Sequence, residues 1–166
     1  MAIVIGIALA VGALIIIGEV MSGSFDNASA SYSPTAPVSP YPVTNSVTSA
    51  LANAIARAEG FFSEGSIPSS ANNPGDIEIG DQGQGTIAGK TVFGTLDAGW
   101  NALYNQINLM LTGRSSVYDP SMTINQVAQL YTGGDQASAW ANNVASALGV
   151  TPDTTLSDLQ NSYGGA

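Results

Sequence analysis

Carboxylates are the side chains of this sequence best suited to acid–base chemistry. The chain of 166 residues holds 12 Asp and Glu, 3 Lys and Arg, and neither His nor Cys. The lack of His and Cys excludes Ser-His-Asp and Cys-His catalysis, disulfides and cysteine metal sites, so we expect no metal and no cofactor. Any chemistry must use carboxylates, hydroxyls, amides or the basic residues Arg57, Lys90 and Arg114.

Glu59 is the first candidate for a general acid. Apolar residues recur at helical spacing before it and predict a helix that begins after Asn45 or Ser46 and ends near Gly60. Glu59 falls in the last turn, at the margin of the apolar stripe, where desolvation and the helix dipole both raise the pKa of a carboxyl group. Arg57, two positions away, points elsewhere on the helix. An exposed glutamate at a helix end is the alternative interpretation.

The surrounding elements predict an α+β domain over residues 46–166. Residues 63–94 are rich in Gly, Asn, Pro and Asp, with β-prone segments at 77–79, 86–88 and 91–93. They predict a loop followed by a small antiparallel sheet, with a hairpin turn at Ala88-Gly89-Lys90. Four helices should follow, with these residues at their starts: Thr95, Thr123 with Gln126 as a capping box, Asp135, and Thr154 or Thr155.

The N-terminal part of the chain differs in composition. Residues 2–18 are apolar throughout, which predicts a transmembrane anchor over residues 1–21, with a cleaved signal peptide as the alternative. Residues 22–45 are rich in Ser, Thr and Pro and predict an extended tether. A domain on such a tether can work away from the membrane surface.

Two short motifs carry a resemblance to a known family. Ala58-Glu59-Gly60-Phe61, followed by Asn72-Asn73-Pro74-Gly75-Asp76-Ile77, resembles the lysozyme-like domains of phage and bacterial lytic transglycosylases. The segments Gly99-Trp100-Asn101-Ala102-Leu103 and Thr123-Ile124 through Tyr131 follow in the same order as in that group. The resemblance covers most of residues 46–159 and implies a lysozyme-like fold, mainly helical with a small antiparallel sheet, that acts on peptidoglycan.

The same resemblance implies a role for Glu59. In these families the glutamate that ends the first helix protonates the oxygen of the MurNAc-GlcNAc bond. The same carboxylate then takes a proton from the sugar's 6-hydroxyl, which closes a 1,6-anhydro ring. Hydrolysis by a muramidase instead needs a second carboxylate, for which Asp76, Glu78 and Asp81 are available. The Gly-Leu-Met-Gln segment usual in the soluble transglycosylases is missing from this chain.

Other side chains are weaker candidates. Asn72 and Asn73 are predicted to bind substrate groups, with turn formation as the alternative. Tyr131 matches a tyrosine that such enzymes place over the cleft, and Asp76 is the fourth candidate for substrate binding. The remaining polar and aromatic residues considered are predicted to be a solvated residue (Gln106), a helix cap (Asp135) and core residues (Trp100 and Trp140).

Charge and the N-terminal segment bear on partners and location. The net charge of -9, without any cluster of Lys and Arg, argues against nucleic-acid binding. The expected partners are peptidoglycan glycan strands, the membrane, and other proteins of a virion or secretion apparatus. We expect the domain to face the periplasm and cell wall, or to belong to a virion. The alternatives are an inactive virion structural or wall-binding protein and an assembly subunit whose apolar N-terminal helix packs in an oligomer.

Overall fold

The computed structural model describes residues 46–78 and 83–164. The predicted anchor at 1–21 and tether at 22–45 lie outside the described residues, as does Asp81. Among the residues that are described, no helix has the length and apolar character needed to cross a membrane.

The described residues form a mainly helical domain with one small sheet. Its α+β composition agrees with the sequence prediction. In chain order the elements are α1 (Val47–Ala58), α2 (Ile67–Ser70), β1 (Gly83–Ile87), β2 (Lys90–Phe93), α3 (Leu96–Leu111), α4 (Ile124–Thr132), α5 (Ala137–Leu148) and α6 (Leu156–Gly164). The short helix α2 was not predicted, because four residues with Pro at the start carry no helical periodicity.

Most helix starts follow from local capping chemistry. The Ser46 hydroxyl accepts a hydrogen bond from the backbone of Ser49, and the Thr95 hydroxyl accepts one from Ala98. Thr123 and Gln126 form the predicted capping box of α4. Donation from Asp158 N to the Thr155 hydroxyl at 3.0 Å likewise caps α6. These interactions satisfy backbone N–H groups that the first turn of a helix leaves without partners.

The predicted capping role of Asp135 is wrong. Helix α5 begins after Gln136, whose side chain makes no capping hydrogen bond. The N–H of Ala137 instead donates to the carbonyl oxygen of Gly134 at 3.0 Å. Gly133 and Gly134 both have positive φ values, so a backbone turn that glycine permits leads into α5 and leaves Asp135 exposed.

Helix α1 lies at the centre of the core and packs against α3, α5 and α6. Its alanines at 52, 54 and 56 are almost fully buried, and such small residues let neighbouring helices approach closely. Large apolar side chains fill the space around them, chiefly Trp100, Leu103 and Ile107 of α3, Val144 of α5, and Leu156 and Leu159 of α6. Gln106 was predicted to be solvated but is only 7% exposed, so that prediction is wrong. It follows Leu103 by one turn on the buried side of α3.

The loop over residues 71–78 is attached to the hairpin by the amide of Asn73. Its Nδ2 donates to the carbonyl oxygens of Ile77 and Thr91, and its Oδ1 accepts from Ile77 N, all at 2.9 Å. Thr91 N also donates to Ile77 O at 2.8 Å. Despite that bond, residues 77 and 78 are not a strand, so the predicted β segment at 77–79 is not formed in its described part.

The two strands form an antiparallel hairpin, as predicted. Ile87 pairs with Lys90, and the residues between them, Ala88 and Gly89, have φ values of 51° and 82°. Two consecutive positive φ values are those of a type I′ turn, whose twist matches that of the strands. All residues of β1 are exposed, whereas Thr91 and Phe93 of β2 are buried against the domain. The hairpin therefore places Lys90 at the edge of the 71–78 loop.

Candidate active site

Glu59 is the C-terminal cap of α1. Its backbone N–H donates to the carbonyl oxygen of Ile55 at 2.9 Å, which holds the residue at the end of the helix. Its half-buried carboxyl group accepts a hydrogen bond from the indole N–H of Trp140, with 2.6 Å between Nε1 and Oε1. Trp140 lies on α5 and is 5% exposed. The packing of α1 against α5 therefore supplies this donor.

The environment of Glu59 makes it a weak acid. Burial raises the pKa of Glu59 from 4.5 to about 7, against the Trp140 hydrogen bond, which lowers it. The charge of Asp76 raises the pKa further, and that of Lys90 lowers it. With a pKa near 7, Glu59 holds its proton in a large fraction of molecules at neutral pH, which is what a general acid requires.

Arg57 does not neutralise Glu59. Its exposed guanidinium lies over the ring of Phe62, 5.4 Å from the centroid. This is the separate position on the helix that the sequence predicts. The neighbouring ring of Phe61 packs edge-on against Trp100, with 5.7 Å between centroids. The residues that follow Glu59 thus provide aromatic surface rather than a compensating charge.

Tyr131 extends the contact between Glu59 and Trp140. Its ring stacks on Trp140 with 5.0 Å between centroids and an interplanar angle of 29°. Its hydroxyl donates to the carbonyl oxygen of Gly75 at 2.6 Å. Burial raises the pKa of Tyr131 well above its usual value, and the charge of Glu59 adds to this effect. The phenol therefore stays protonated and links α4 to the 71–78 loop.

Asp76 and Glu78 share one cation. Lys90 Nζ lies 3.0 Å from Asp76 Oδ2 and 3.1 Å from Glu78 Oε1. Burial alone lowers the pKa of Lys90, but its hydrogen bonds and charge interactions with both carboxylates outweigh burial, so the pKa is raised. Lys90 is therefore ammonium at any physiological pH, and its ion pair holds the Asp76 side chain in place.

The predicted substrate-binding residues fall into two groups. Asp76 and Tyr131 line one small cleft, of about 20 Å³, together with Gly75, Lys90 and Gln106. Asn73 is fully buried with its amide bonded to backbone, so its geometry favours the turn-forming alternative. Asn72 is half-buried, and its Nδ2 donates to Phe93 O at 3.1 Å. Contact of any of these residues with a substrate stays a prediction.

Sequence reasoning missed three polar contributors to the site. Trp140 was predicted only as a core residue, Gln106 as solvated, and Lys90 as part of a turn. One signal for Trp140 was available, because a buried indole needs an acceptor for its N–H. No local pattern says which acceptor that is.

Metal binding and similarity to known proteins remain to be described. In residues 46–78 and 83–164, no group of three or more acidic side chains is placed to hold a metal ion. Neither a scan against protein-family models nor searches of curated proteins and of solved structures finds a match to this chain.

Proposed function

We propose that this domain cleaves the glycan strands of bacterial peptidoglycan, with Glu59 as the general acid. The observation that carries the proposal is the setting of Glu59, a carboxyl group with a pKa of about 7 that is bonded to a buried indole. Carboxyl groups whose pKa is raised by burial are characteristic of acid catalysis in glycosidases. The substrate class comes from the resemblance of the Glu59 and Asn72–Asp76 motifs to lysozyme-like lytic transglycosylases.

The lytic transglycosylase route needs only one carboxyl group. Glu59 gives its proton to the glycosidic oxygen as the bond from that oxygen to C1 of MurNAc breaks. The resulting carboxylate accepts the proton of the sugar's 6-hydroxyl, whose oxygen bonds to C1 and closes the anhydro ring. The Trp140 N–H favours the ionised carboxylate between the two steps, since a hydrogen bond to the charged form stabilises it.

A muramidase is the second candidate, because Asp76 is close enough to Glu59 to raise its pKa. Hydrolysis of a glycosidic bond generally uses two carboxyl groups in different protonation states. Glu59 as the acid and Asp76, paired with Lys90, as the base would meet that requirement.

Location at a membrane or virion belongs to the same proposal. The apolar residues 2–18 and the Pro-rich residues 22–45 support a domain anchored near the cell wall by a tether. We expect the full chain to need detergent for solubility.

The decisive experiment incubates the detergent-solubilised full chain with purified peptidoglycan and identifies the released fragments by mass spectrometry. We expect release by the wild type and a loss of at least ~100-fold in Glu59→Gln, the scale of general acid catalysis. Glu64→Gln is the matched control, since Glu64 is exposed and lies just beyond the helix. Equal release by Glu59→Gln would overturn the proposal, and binding without release would favour a structural role in the wall or virion.

A further inference from the structure

Tyr131 and Trp140 lie on consecutive helices and meet face to face. Their rings stack with 5.0 Å between centroids and an interplanar angle of 29°. Helix α4 ends at Gly133, and positive φ values at Gly133 and Gly134 turn the chain directly into α5. The short turn places the last turn of α4, which carries Tyr131, against the first turns of α5. The packing of these two helices therefore sets the position of the stack.

The indole of Trp140 needs such a neighbour to keep its direction. The torsion that rotates an aromatic ring about the Cβ–Cγ bond has broad minima rather than sharp staggered wells. The side-chain torsions alone therefore do not aim Nε1, and contacts on the ring faces must do so. Tyr131 covers one face of the indole, and Nε1 lies 2.6 Å from Glu59 Oε1. The placement of this donor thus depends on the ring of Tyr131.

Tyr131 is itself held by two further contacts. Its ring lies 6.5 Å from that of Tyr118, and its hydroxyl donates to Gly75 O at 2.6 Å. A Cβ at Gly75 would lie 3.2 Å from that hydroxyl oxygen and 2.9 Å from Cδ1 of Leu103, so glycine lets the 71–78 loop approach this closely. The single hydroxyl hydrogen of Tyr131 is used in this bond and is not available to a glycan.

The charged groups around Glu59 come from the loop and the hairpin. The charge of Asp76 raises the pKa of Glu59, and that of Lys90 lowers it. The guanidinium of Arg57 lies over an aromatic ring instead. Tyr131 stays neutral, because burial raises its pKa well above the usual value. Replacing Tyr131 therefore removes no charge, and any change in the titration of Glu59 must come from geometry.

We propose that Tyr131 is a positioning residue for the general acid, because its ring holds the Trp140 indole in the plane from which Nε1 donates to Glu59. This inference rests on the proposed function, in which Glu59 is the acid. Tyr131 then acts through Trp140, which differs from the direct substrate contact that the family resemblance implies.

Nuclear magnetic resonance tests the contact without reference to cleavage. The detergent-solubilised full chain is labelled with carbon-13 in its glutamate carboxyl groups and with nitrogen-15 in its indoles, and Glu59→Gln identifies the signal of Glu59. The chain has two tryptophans, so the Trp100 indole is an internal reference. We expect the Trp140 indole signal to titrate together with Glu59, at about pH 7, and the Trp100 signal to stay constant. A Trp140 signal that does not follow Glu59 would overturn the proposal.

Two substitutions separate the ring of Tyr131 from its hydroxyl. Tyr131→Leu removes the ring, so the midpoint of Glu59 and the falling limb of peptidoglycan release should both move upward by about one pH unit, the scale of a hydrogen bond to a carboxylate. Tyr131→Phe retains the ring and should keep most of the wild-type midpoint. When Trp140→Phe has already removed the donor, adding Tyr131→Leu should move the midpoint no further.

Tyr104 provides a matched control within the same chain. It stacks on Trp100 with the same interplanar angle of 29° and 5.9 Å between centroids, but Trp100 is not bonded to Glu59. Tyr104→Leu should lower stability and leave the midpoint of Glu59 unchanged. Thermal unfolding identifies a variant that does not fold. If Tyr131→Leu fails in this way, Tyr131→Met replaces it, because Met fills irregular spaces without holding a plane.

Each contrary result has a definite meaning. If Tyr131→Phe moves the midpoint as far as Tyr131→Leu does, the effect runs through the 71–78 loop and its Asp76, and the proposal is overturned. An unmoved midpoint with weaker binding to peptidoglycan would also overturn it, in favour of direct substrate contact. So would a shift that persists in full when Trp140→Phe is present. If the midpoints behave as expected but the wild type releases no fragments, the proposed function fails and the contact stands.

Discussion

Trp140 Nε1 lies 2.6 Å from Glu59 Oε1, although 81 positions separate the two residues in the chain. The bond joins the last turn of α1 to the first turns of α5 and aims a fixed donor at a half-buried carboxyl group. Burial and this bond act in opposite directions on the pKa of Glu59, and burial has the larger effect. The Trp140 hydrogen bond thus keeps the pKa of Glu59 below the value that burial would set without it.

This balance makes the pH dependence of cleavage sensitive to Trp140. A general acid must hold its proton, so activity should fall as the pH rises through about 7, the pKa of Glu59. Trp140→Phe removes a hydrogen bond that lowers this pKa, so the falling limb of kcat/KM should move to higher pH. The measurement is the rate of peptidoglycan release between about pH 5 and pH 9, a range centred on the pKa of Glu59.

Trp100→Phe is the matched control for that change. This substitution also removes a buried indole from the core. Trp100 packs against Phe61 and Tyr104, however, and is not bonded to Glu59. We expect this variant to lose stability without a shift in the falling limb. A limb that stays in place for Trp140→Phe, or moves to lower pH, would contradict the assigned role of the indole.

Glu59 should also give the domain a pH-dependent stability. Its pKa is about 7 in the folded chain and 4.5 when unperturbed, so between these values the folded state binds more protons than the unfolded state. The contribution of protonated Glu59 to the free energy of unfolding is therefore fully present below pH 4.5 and is lost as the pH rises through 7. On the scale of 1.36 kcal/mol per pKa unit, the difference between 4.5 and 7 corresponds to a loss of about 3 kcal/mol. Urea unfolding at several pH values measures it.

Glu59→Gln should flatten this pH dependence, because the amide does not titrate. Above the pKa of Glu59 the variant should be more stable than the wild type, although we expect it to lack activity. Glu64→Gln should retain the wild-type slope, since Glu64 is exposed. A slope that survives in Glu59→Gln would show that another group is responsible.

The sequence predicts best those features that depend on residues close together in the chain. The caps at Ser46, Thr95 and Thr123 each use a side chain and a backbone group three residues apart, so the local pattern is sufficient. The position of Glu59 at the end of α1 follows in the same way. The partnership of Glu59 with Trp140 and the burial of Gln106 depend on how helices pack, which no local pattern specifies.

Tyr131 and Tyr118 differ in the hydrogen bonding of their hydroxyls, so the stability of the domain should respond differently when each is replaced by Phe. Tyr131→Phe leaves the stack on Trp140 possible but removes the 2.6 Å bond to Gly75 O. It should destabilise the domain by about 1–2 kcal/mol, because a part-buried carbonyl loses its donor. The Tyr118 hydroxyl is buried without a hydrogen bond to the described residues, so Tyr118→Phe should be neutral or stabilising. Urea denaturation of both variants tests the pair, and equal losses would contradict the expectation.

The close approach of α3 to the 71–78 loop should make Gly99 intolerant of any side chain. A Cβ at Gly99 would overlap the backbone carbonyl oxygen of Asn72 and would lie only 3.0 Å from Cδ of Pro74. Gly99→Ala should therefore cost about 3 kcal/mol or more, at the upper end of overpacking effects. Because the displaced loop also carries Asp76, peptidoglycan release should fall even in the molecules that remain folded.

Gly94→Ala provides the comparison, since its Cβ would meet only the end of the Gln84 side chain, at 2.6 Å. That side chain is exposed and can rotate away, so the cost should stay below ~1 kcal/mol. Thermal unfolding and the release assay on both variants test the two effects together. If Gly99→Ala proved as mild as Gly94→Ala, the 71–78 loop would not be held tightly against α3, and the fixed placement of Asp76 in the cleft would lose its structural basis.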